Sequence, residues 1–358
     1  MTTGQSVLPS GQGDLGSLVT RGEPSYSFSF AIAMSTLRSS LVSRDRPPAK
    51  DMVWIAGGRF SMGSDHHYEE EVPAHRVRVD GFWIDRYPVT NTQFQKFVKA
   101  TGYITLAEKS ADPVDYPGAE PTLLEPSSIV FTPPPQPVDM GNHYNWWSYV
   151  RGASWRHPEG KGSSLKGREN HPVVHVAYAD VMAYAQWIGK ELPTEAEWEF
   201  AARGGLEAKE FAWGEELYPD GKFMANTFQG EFPYRNSAAD GYDRTSPVGS
   251  FPANGYGLYD MIGNVWEWTE DWYQQHHQIN KPACCTLNNP RGGSQQASHD
   301  PSIAGVAIPR KVVKGGSFLC TPDYCRRYRP AARMAQGIDT STCHMGFRCI
   351  IRPPTSTS

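Results

Sequence analysis

Two cysteines, Cys320 and Cys325, are the residues of this chain best suited to chemistry. Gly315-Gly316 precede them, and arginines follow at positions 326, 327, 329 and 333. Two thiols at this spacing can hold a soft metal ion or form a redox-active disulfide. Nearby positive charge stabilises an ionised sulfur, so the arginines favour thiolate over thiol. The stretch therefore predicts an enzyme or metal protein whose chemistry is carried by sulfur.

Composition limits the classes of function. The chain has 358 residues and a formal net charge of -4, with charges of both signs mixed throughout. This pattern argues against a nucleic-acid partner. No apolar stretch is long enough to span a bilayer, so we expect no membrane association. The 34 Gly, 29 Pro and 11 Trp indicate a loop-rich fold with many turns and large aromatic anchors.

The first fifty residues differ from the rest. They begin with a Gly- and Ser-rich stretch, which predicts a disordered extension over 1–50. Residues 25–33 weakly resemble the apolar part of a signal peptide but lack a basic start, which leaves secretion open. Whether residues before Met34 belong to the mature chain also stays open. We expect one catalytic domain over 51–353 and a short tail over 354–358.

The elements that position the cysteines are mostly short. Residues 75–80 alternate strictly between polar and apolar, which predicts a half-buried strand. Residues 52–60 predict a strand that turns at Gly57-Gly58, and residues 82–85 continue the sheet. Together with a few helices, these short strands predict an α+β fold.

Three helices are predicted. Asn91 is expected to cap the first, and the second covers 180–190. The third has a capping box, Thr194-Glu195-Ala196-Glu197, and stops at Gly204-Gly205. The proline-rich residues 112–137 are expected to form a surface loop.

Several motifs resemble the formylglycine-generating enzyme family, the sulfatase-modifying factors. The Cys-x4-Cys stretch followed by Arg-Tyr-Arg-Pro-Ala-Ala-Arg is specific to the formylglycine generators, whereas the other motifs recur across a wider superfamily. The resemblance covers residues 52–352 and implies a fold similar to C-type lectin domains, with little regular secondary structure. The other motifs are Leu192-Pro193-Thr194-Glu195-Ala196-Glu197-Trp198-Glu199, Asn254-Gly255-Tyr256-Gly257-Leu258-Tyr259-Asp260-Met261-Ile262-Gly263-Asn264-Val265-Trp266-Glu267-Trp268, Gly315-Gly316-Ser317 and Gly346-Phe347-Arg348-Cys349.

The resemblance implies a copper enzyme. In the family, the cysteines that match Cys320 and Cys325 hold one Cu(I) ion, a soft ion that accepts two thiolates. The family uses molecular oxygen to oxidise the cysteine of a Cys-x-Pro-x-Arg segment in sulfatases to Cα-formylglycine. Ser317 and Trp266 match the serine and tryptophan of the catalytic pocket. Arg333 and His344 match positions near the substrate groove, although the family has asparagine where this chain has His344.

Other readings of the cysteines stay open. Cys320 and Cys325 could form an inert disulfide or remain buried thiols. With Cys343 and Cys349 they number four, as a structural zinc site needs, but their spacing is loose for one. The vicinal pair Cys284-Cys285 has no assigned role.

The resemblance also implies two structural calcium sites, which suit hard oxygen ligands such as carboxylates and backbone carbonyls. Family members usually carry asparagine where this chain has Asp260. The matching positions are Asn226, Thr227, Asp240 and Tyr242 for one ion, and Asp260, Gly263, Val265 and Glu267 for the other.

The leading hypothesis is a monomeric oxidoreductase that acts on unfolded sulfatase polypeptides. The alternative is a lectin-like binding module of the same fold without catalysis, which would need neither Cys320 nor Cys325. Ala202 stands where secreted relatives place the disulfide partner of Cys349, which favours a reducing, cytoplasmic location. The sequence does not identify the natural sulfatase substrate or the affinity for copper. The iron site of the related sulfoxide synthases is not expected, since no helix here carries its histidine spacing.

Overall fold

Fourteen short strands and three α-helices make up the regular structure of the described part of the chain. The computed structural model describes residues 46–114, 116, 118–277, 286–300 and 308–354. They lie within one compact unit, Leu41–Ser358. The signal-peptide-like stretch, Met34, Cys284-Cys285 and residues 355–358 lie outside the described residues, as does most of the predicted extension.

The strands form small sheets. Three strands pair in the order β1-β4-β14 and three in the order β10-β3-β2, while β5 pairs with β6 and β7 with β8. The strands are β1 (Met52–Ile55), β2 (Gly58–Met62), β3 (His75–Val79), β4 (Phe82–Asp85), β5 (Ser127–Phe131), β6 (Trp147–Arg151), β7 (Gly230–Glu231), β8 (Arg235–Asn236), β9 (Trp266–Trp272), β10 (Leu287–Asn288), β11 (Arg310–Lys314), β12 (Arg333–Gly337), β13 (Met345–Gly346) and β14 (Ile350–Ile351).

The largest sheet carries the functional motifs. Its order is β12-β11-β9-β13, with β11 antiparallel to both neighbours and β13 parallel to β9. Trp266 opens β9, and Lys314 closes β11 directly before Gly315-Gly316. The segment that contains both cysteines therefore connects the central strand β11 to its neighbour β12, at the edge of the same sheet.

The helices are α1 (Asn91–Thr101), α2 (Tyr178–Trp187) and α3 (Glu195–Arg203). The boundaries of α3 confirm the prediction, because Thr194 and Glu197 form the capping box and Gly204 ends the helix in a left-handed conformation with φ 59°. The cap of α1 is Thr90, one residue before the predicted Asn91: the Thr90 hydroxyl accepts from the Gln93 amide.

The second helix begins two residues earlier than expected. Asp180, predicted as its first residue, is already the third, and its carboxylate accepts from the Ala177 amide at 2.8 Å. The described chain also has short 3₁₀ helices, at Glu69–Glu71, Leu106–Glu108, Pro121–Leu124, His143–Asn145, Pro219–Gly221 and Gln296–Ser298.

The expected surface loop at 112–137 is wrong in its second half. Residues Ser127–Phe131 form β5, which pairs with β6, and Val130 and Phe131 are buried. The run Ser-Ser-Ile-Val-Phe contains the β-branched and aromatic residues that fit a half-buried strand, whereas the prolines stand on both sides of it.

Among the described residues, no helix is long and apolar enough to cross a membrane.

Buried ion pairs fasten the segment after Cys325 to the rest of the domain. Arg329 binds both carboxylate oxygens of Glu71, with Nη1 2.8 Å from Oε2, and the two side chains are 1% and 0% exposed. A charge in such a place is strongly destabilising without its partner.

We expect Arg329→Met to lower the free energy of unfolding by about 3–5 kcal/mol, because Glu71 would stay buried without its partner. The matched control is Arg76→Met at the exposed Arg76–Glu207 pair, where we expect a loss of at most about 1 kcal/mol. Denaturant unfolding measures both, and equal losses would contradict the assigned role of burial.

Candidate functional site

The two predicted cysteines are in contact. Their sulfurs lie 3.1 Å apart, Cys320 is buried and Cys325 is half-buried. This separation is well beyond a disulfide bond of about 2.05 Å, so the pair consists of two hydrogen-bonded sulfurs. Consecutive turns hold them in place: the Cys320 amide donates to the Ser317 carbonyl at 3.0 Å, and the Cys325 amide to that of Thr321 at 3.1 Å.

The two glycines before the cysteines allow this arrangement. Gly315 and Gly316 have φ angles of 96° and 71°, which side-chain-bearing residues rarely adopt. A Cβ at Gly316 would lie 2.9 Å from the backbone nitrogen of Tyr328. The chain therefore turns tightly at the end of β11 and packs against the backbone that follows Cys325.

Burial and hydrogen bonding separate the pKa values of the two thiols. The hydrogen bond from Cys320 outweighs burial and, with the Arg327 guanidinium, lowers the pKa of Cys325 to about 7. Burial raises the pKa of Cys320 well above its usual value. Above about pH 7 the pair therefore carries one proton, on Cys320, and one negative charge, on Cys325.

One arginine, rather than four, supplies the predicted electropositive setting. Arg327 lines the cavity at the cysteines, whereas Arg329 pairs with Glu71 and Arg326 with Glu210. Arg333, expected near the substrate groove, is buried elsewhere and binds Glu195 through Nε at 2.7 Å. These arginines fix the segment in place and do not face the thiols.

The sulfur pair lies in the wall of a cavity of about 570 Å³. The cavity brings together all four predicted catalytic residues, although they come from β9 and from the segment after β11. Its lining includes Ile129, His143, Tyr144, Trp147, Tyr149, Phe232, Trp266, Ser317, Cys320, Tyr324, Cys325, Arg327, Thr340, Thr342 and His344.

Ser317 and Trp266 are both buried. The Ser317 hydroxyl accepts from the Leu319 amide at 3.2 Å, and its own amide donates to the Cys320 sulfur at 3.4 Å. Ser317 therefore shapes the turn and also lines the cavity.

His344 is a neutral member of the wall. Its ring stacks on Trp147 with centroids 5.0 Å apart, and its Nδ1 lies 2.9 Å from the Thr342 hydroxyl. Burial lowers the pKa of His344 to about 3, so the imidazole adds no charge at neutral pH. Like the asparagine expected at this position, it offers a neutral polar group.

Sequence reasoning missed the aromatic side chains in the wall of the cavity. Tyr324 stacks on Phe232 with ring centroids 4.3 Å apart, and Trp147 stands opposite His344. The adjacent tryptophans 146 and 147 and the tyrosine between the cysteines were the available signals. Asp323, the acidic residue between the two cysteines, is exposed and is not among the residues that line the cavity.

The first predicted calcium site has a suitable donor set. Within the described residues, Asn226 Oδ1 is buried and has no hydrogen-bond partner. The Asp240 carboxylate lies close by, accepting from the amides of Thr227 at 3.1 Å and Tyr242 at 3.0 Å. Burial raises the pKa of Asp240. Oxygen donors of this kind fit Ca²⁺.

The second set fits less well, because the carboxylate of Glu267 is already compensated. Arg348 Nε and Trp198 Nε1 each donate to its Oε2 at 2.7 Å. Arg348 therefore weakens the repulsion between the carboxylates of Glu267 and Asp260. Asp260 accepts from the Gly249 amide at 2.7 Å, and burial raises its pKa to about 6. Gly263 and Val265 lie between them on the chain.

The four-cysteine zinc alternative lacks support. Among the residues that the structure describes, no group of three or more Cys, His, Asp or Glu side chains is arranged to hold a metal ion. The Cys343 sulfur instead accepts from the Phe131 amide at 3.2 Å, and Cys349 belongs to the main apolar core.

The thiolate is directly testable. Because the pKa of Cys325 is lowered to about 7, its thiolate should be present above pH 7 and lost below it. We expect the rate of iodoacetamide labelling at Cys325 to rise with a midpoint near pH 7, as read by peptide mass spectrometry. Cys320→Ala and Arg327→Gln should each raise this midpoint. A midpoint near 9 in the unchanged protein would contradict the assigned charge state.

Comparison with known proteins identifies a family and close relatives of this chain. The family described as "Sulfatase-modifying factor enzyme 1-like domain" matches residues 38–353. A formylglycine-generating enzyme of Mycobacterium tuberculosis is 52% identical over 85% of this chain and 98% of its own length. One from Mus musculus is 44% identical over 86% and 77%.

A solved structure confirms the predicted fold class. The structure of PvdO from Pseudomonas aeruginosa is 25% identical, covers 85% of this chain and 96% of its own, and has a TM-score of 0.57. The family model matches most of the sequence, and the likeness in fold and the paired cysteines agree with it. The chain therefore belongs to the formylglycine-generating enzyme family, the sulfatase-modifying factors.

Proposed function

We propose that this protein oxidises the cysteine of a Cys-x-Pro-x-Arg segment to Cα-formylglycine, with Cu(I) as cofactor and molecular oxygen as acceptor. The observation that carries the proposal is the pair of sulfurs 3.1 Å apart in the wall of a large cavity. The names of the relatives support formylglycine generation.

The donor set fits copper. The two sulfurs are in contact, and the pKa of one of them is lowered to about 7. Such sulfur ligands bind a soft monovalent ion in preference to harder cations. Cys320 and Cys325 would hold the ion. When bound, Cu(I) supplies the one-electron chemistry with oxygen that protein side chains lack.

The residues of the chain have separate roles at this site. Cys325 presents the thiolate, and Arg327, which is held by Glu70 at 2.6 Å, stabilises its charge. Ser317 holds the turn that carries Cys320. Trp266, Trp147 and the neutral His344 form a wall of low charge that limits water around the substrate sulfur.

The substrate must enter as an extended chain, so we propose unfolded sulfatase polypeptides as partners and a monomer as the acting form.

The runner-up is a lectin-like binding module without catalysis. The ionised sulfur pair favours the enzyme, since a binding module has no need of one. Buried thiols at Cys343 and Cys349 support a reducing, cytoplasmic location.

The deciding experiment incubates the purified protein, loaded with Cu(I), with oxygen, a reductant and a peptide containing Leu-Cys-x-Pro-x-Arg. Mass spectrometry then follows conversion of cysteine to formylglycine. Absence of conversion by copper-loaded protein would contradict the enzyme proposal, and equal conversion of a scrambled cysteine peptide would contradict recognition of the motif.

We expect Cys320→Ser and Cys325→Ser each to reduce turnover at least thirtyfold, about 2 kcal/mol on the barrier, because one sulfur cannot retain the ion. Cys343→Ser is the matched control, since its sulfur faces the Phe131 amide, and it should keep most of the activity. A cysteine variant of the pair that keeps wild-type turnover would argue against the two-sulfur site.

We also propose Ca²⁺ as a structural ion at Asn226, Thr227, Asp240 and Tyr242, supported by the unpartnered Asn226 oxygen. The set at Asp260, Gly263, Val265 and Glu267 is the weaker candidate, because Arg348 binds Glu267.

Calcium should raise the melting temperature by mass action, by the equivalent of about 2.7 kcal/mol at a hundredfold excess over Kd, and a chelator should reverse this. Asp240→Asn should remove most of this response. Asp243→Asn, an exposed neighbour on the same loop, should retain it. Thermal unfolding of the three proteins with and without calcium measures the difference. An identical response in all three would place the ion elsewhere.

A further inference from the structure

The cavity at the sulfur pair has one strong cation in its wall. Among the described residues that line it, Arg327 is the one arginine or lysine. Two thiolates around a monovalent ion carry an excess negative charge, which is unfavourable beside neutral walls. The Arg327 side chain is partly exposed, so other groups must keep its guanidinium at the sulfurs.

Tyr68, which lies on the loop between β2 and β3, contacts the cysteine segment in two ways. The Arg327 guanidinium carbon lies 3.9 Å from the centroid of the Tyr68 ring. The Tyr68 hydroxyl accepts from the Arg326 amide at 3.0 Å, and this amide is the first backbone group after Cys325. One side chain therefore contacts both the cation in the cavity wall and the backbone that carries the outer sulfur.

The position of Tyr68 is itself fixed by its surroundings. Tyr68 directly precedes the 3₁₀ helix Glu69–Glu71, and the Glu71 amide donates to its carbonyl at 2.9 Å. The Glu71 side chain is fully buried and binds Arg329. The ring is therefore carried by a turn that a buried ion pair anchors to the cysteine segment.

The ion pair of Arg327 does not by itself determine where the guanidinium lies. Glu70 Oε1 accepts from Arg327 Nε at 3.0 Å and from Nη2 at 2.6 Å. Both side chains are partly exposed, and ion pairs of this kind contribute little free energy. An aromatic ring against a guanidinium adds attraction and also fixes the plane of the cation. The Tyr68 ring thus supplies the constraint that Glu70 lacks.

We propose that Tyr68 is a positioning residue of the active site, whose ring holds the Arg327 guanidinium beside the sulfur pair and whose hydroxyl fixes the backbone after Cys325. Tyr68 is not among the residues that line the cavity, so it acts through these neighbours and does not touch the substrate. Its role toward the ion rests on the proposed function, in which two thiolates and one Cu(I) leave an excess negative charge for Arg327 to offset.

The test measures the positive charge beside the sulfur. Iodoacetate and iodoacetamide alkylate the same thiolate, but only iodoacetate carries a negative charge. The ratio of their labelling rates at Cys325, taken at one fixed pH without metal, is independent of the ionised fraction and reports the local charge. Peptide mass spectrometry gives both rates.

Four variants are compared with the unchanged protein. Tyr68→Leu removes the ring and the hydroxyl, Tyr68→Phe removes the hydroxyl alone, and Arg327→Gln removes the charge. Tyr273→Leu is the matched control, because the Tyr273 ring lies 5.0 Å from the guanidinium carbon of Arg333, which does not face the thiols.

We expect Arg327→Gln to lower the ratio of iodoacetate to iodoacetamide labelling about threefold or more, because it removes the neighbouring charge. Tyr68→Leu should lower the ratio about twofold or more, because the guanidinium is no longer held at the sulfurs. Tyr68→Phe, which keeps the ring, and Tyr273→Leu should retain the ratio of the unchanged protein.

A second measurement addresses the ion. Competition with a chromophoric chelator in the absence of oxygen gives the affinity of each protein for Cu(I). Tyr68→Leu and Arg327→Gln should weaken this affinity about threefold or more, whereas Tyr273→Leu should not change it. A lowered labelling ratio with unchanged affinity for Cu(I) would contradict the role assigned toward the ion.

An unchanged labelling ratio in Tyr68→Leu would overturn the proposal, as would an equal decrease in Tyr273→Leu or an unchanged ratio in Arg327→Gln. If the unchanged protein retains no Cu(I), the proposed function fails separately, and the labelling ratio, which needs no metal, still decides the positioning role of Tyr68. Denaturant unfolding checks that each variant is folded. If Tyr68→Leu does not fold, Tyr68→Met, which keeps a long side chain without a ring, takes its place.

Discussion

The structure of the site depends on charges that are buried between α3 and the central sheet. Lys314 at the end of β11 lies 3.0 Å from Glu199, and Arg333 at the start of β12 lies 2.7 Å from Glu195. All four side chains are almost inaccessible to water. The segment with both cysteines runs between these two anchored ends. Because an unpartnered buried charge is so unfavourable, the two ends are held in one place.

The chemistry of the site comes from an asymmetry between two identical side chains. Cys320 is deeper and stays protonated, whereas Cys325 lies at the cavity beside Arg327 and ionises more easily. The proton on Cys320 itself stabilises the neighbouring thiolate through the hydrogen bond at 3.1 Å. Burial of one sulfur therefore prepares the other as a ligand, and a symmetric, solvent-exposed pair would not have this property.

The sequence correctly predicted those elements whose ends are set by neighbouring residues. The limits of α3 follow from Thr194, Glu197 and Gly204, and they agree with the structure. The strand β5 was missed, because the prolines around it indicated a loop and its partner β6 lies sixteen or more residues away along the chain. Pairing between distant segments leaves no signal in either segment alone.

The same distinction holds at the site. Cys320, Cys325, Ser317 and Trp266 were predicted from motifs, and the structure brings them to one cavity. The roles of the arginines could not be predicted, since Glu71 and Glu195, which bind Arg329 and Arg333, are more than a hundred residues distant.

The helix α3 has no face toward solvent: every residue from Glu195 to Arg203 is buried. A nine-residue helix is too short to persist alone in water, and this one also needs the cations of β11 and β12 beside it. Its formation must therefore coincide with assembly of the whole domain. The sulfur site, anchored to the same helix, therefore belongs to the cooperative unit that this helix forms with β11 and β12, and not to a part that opens locally.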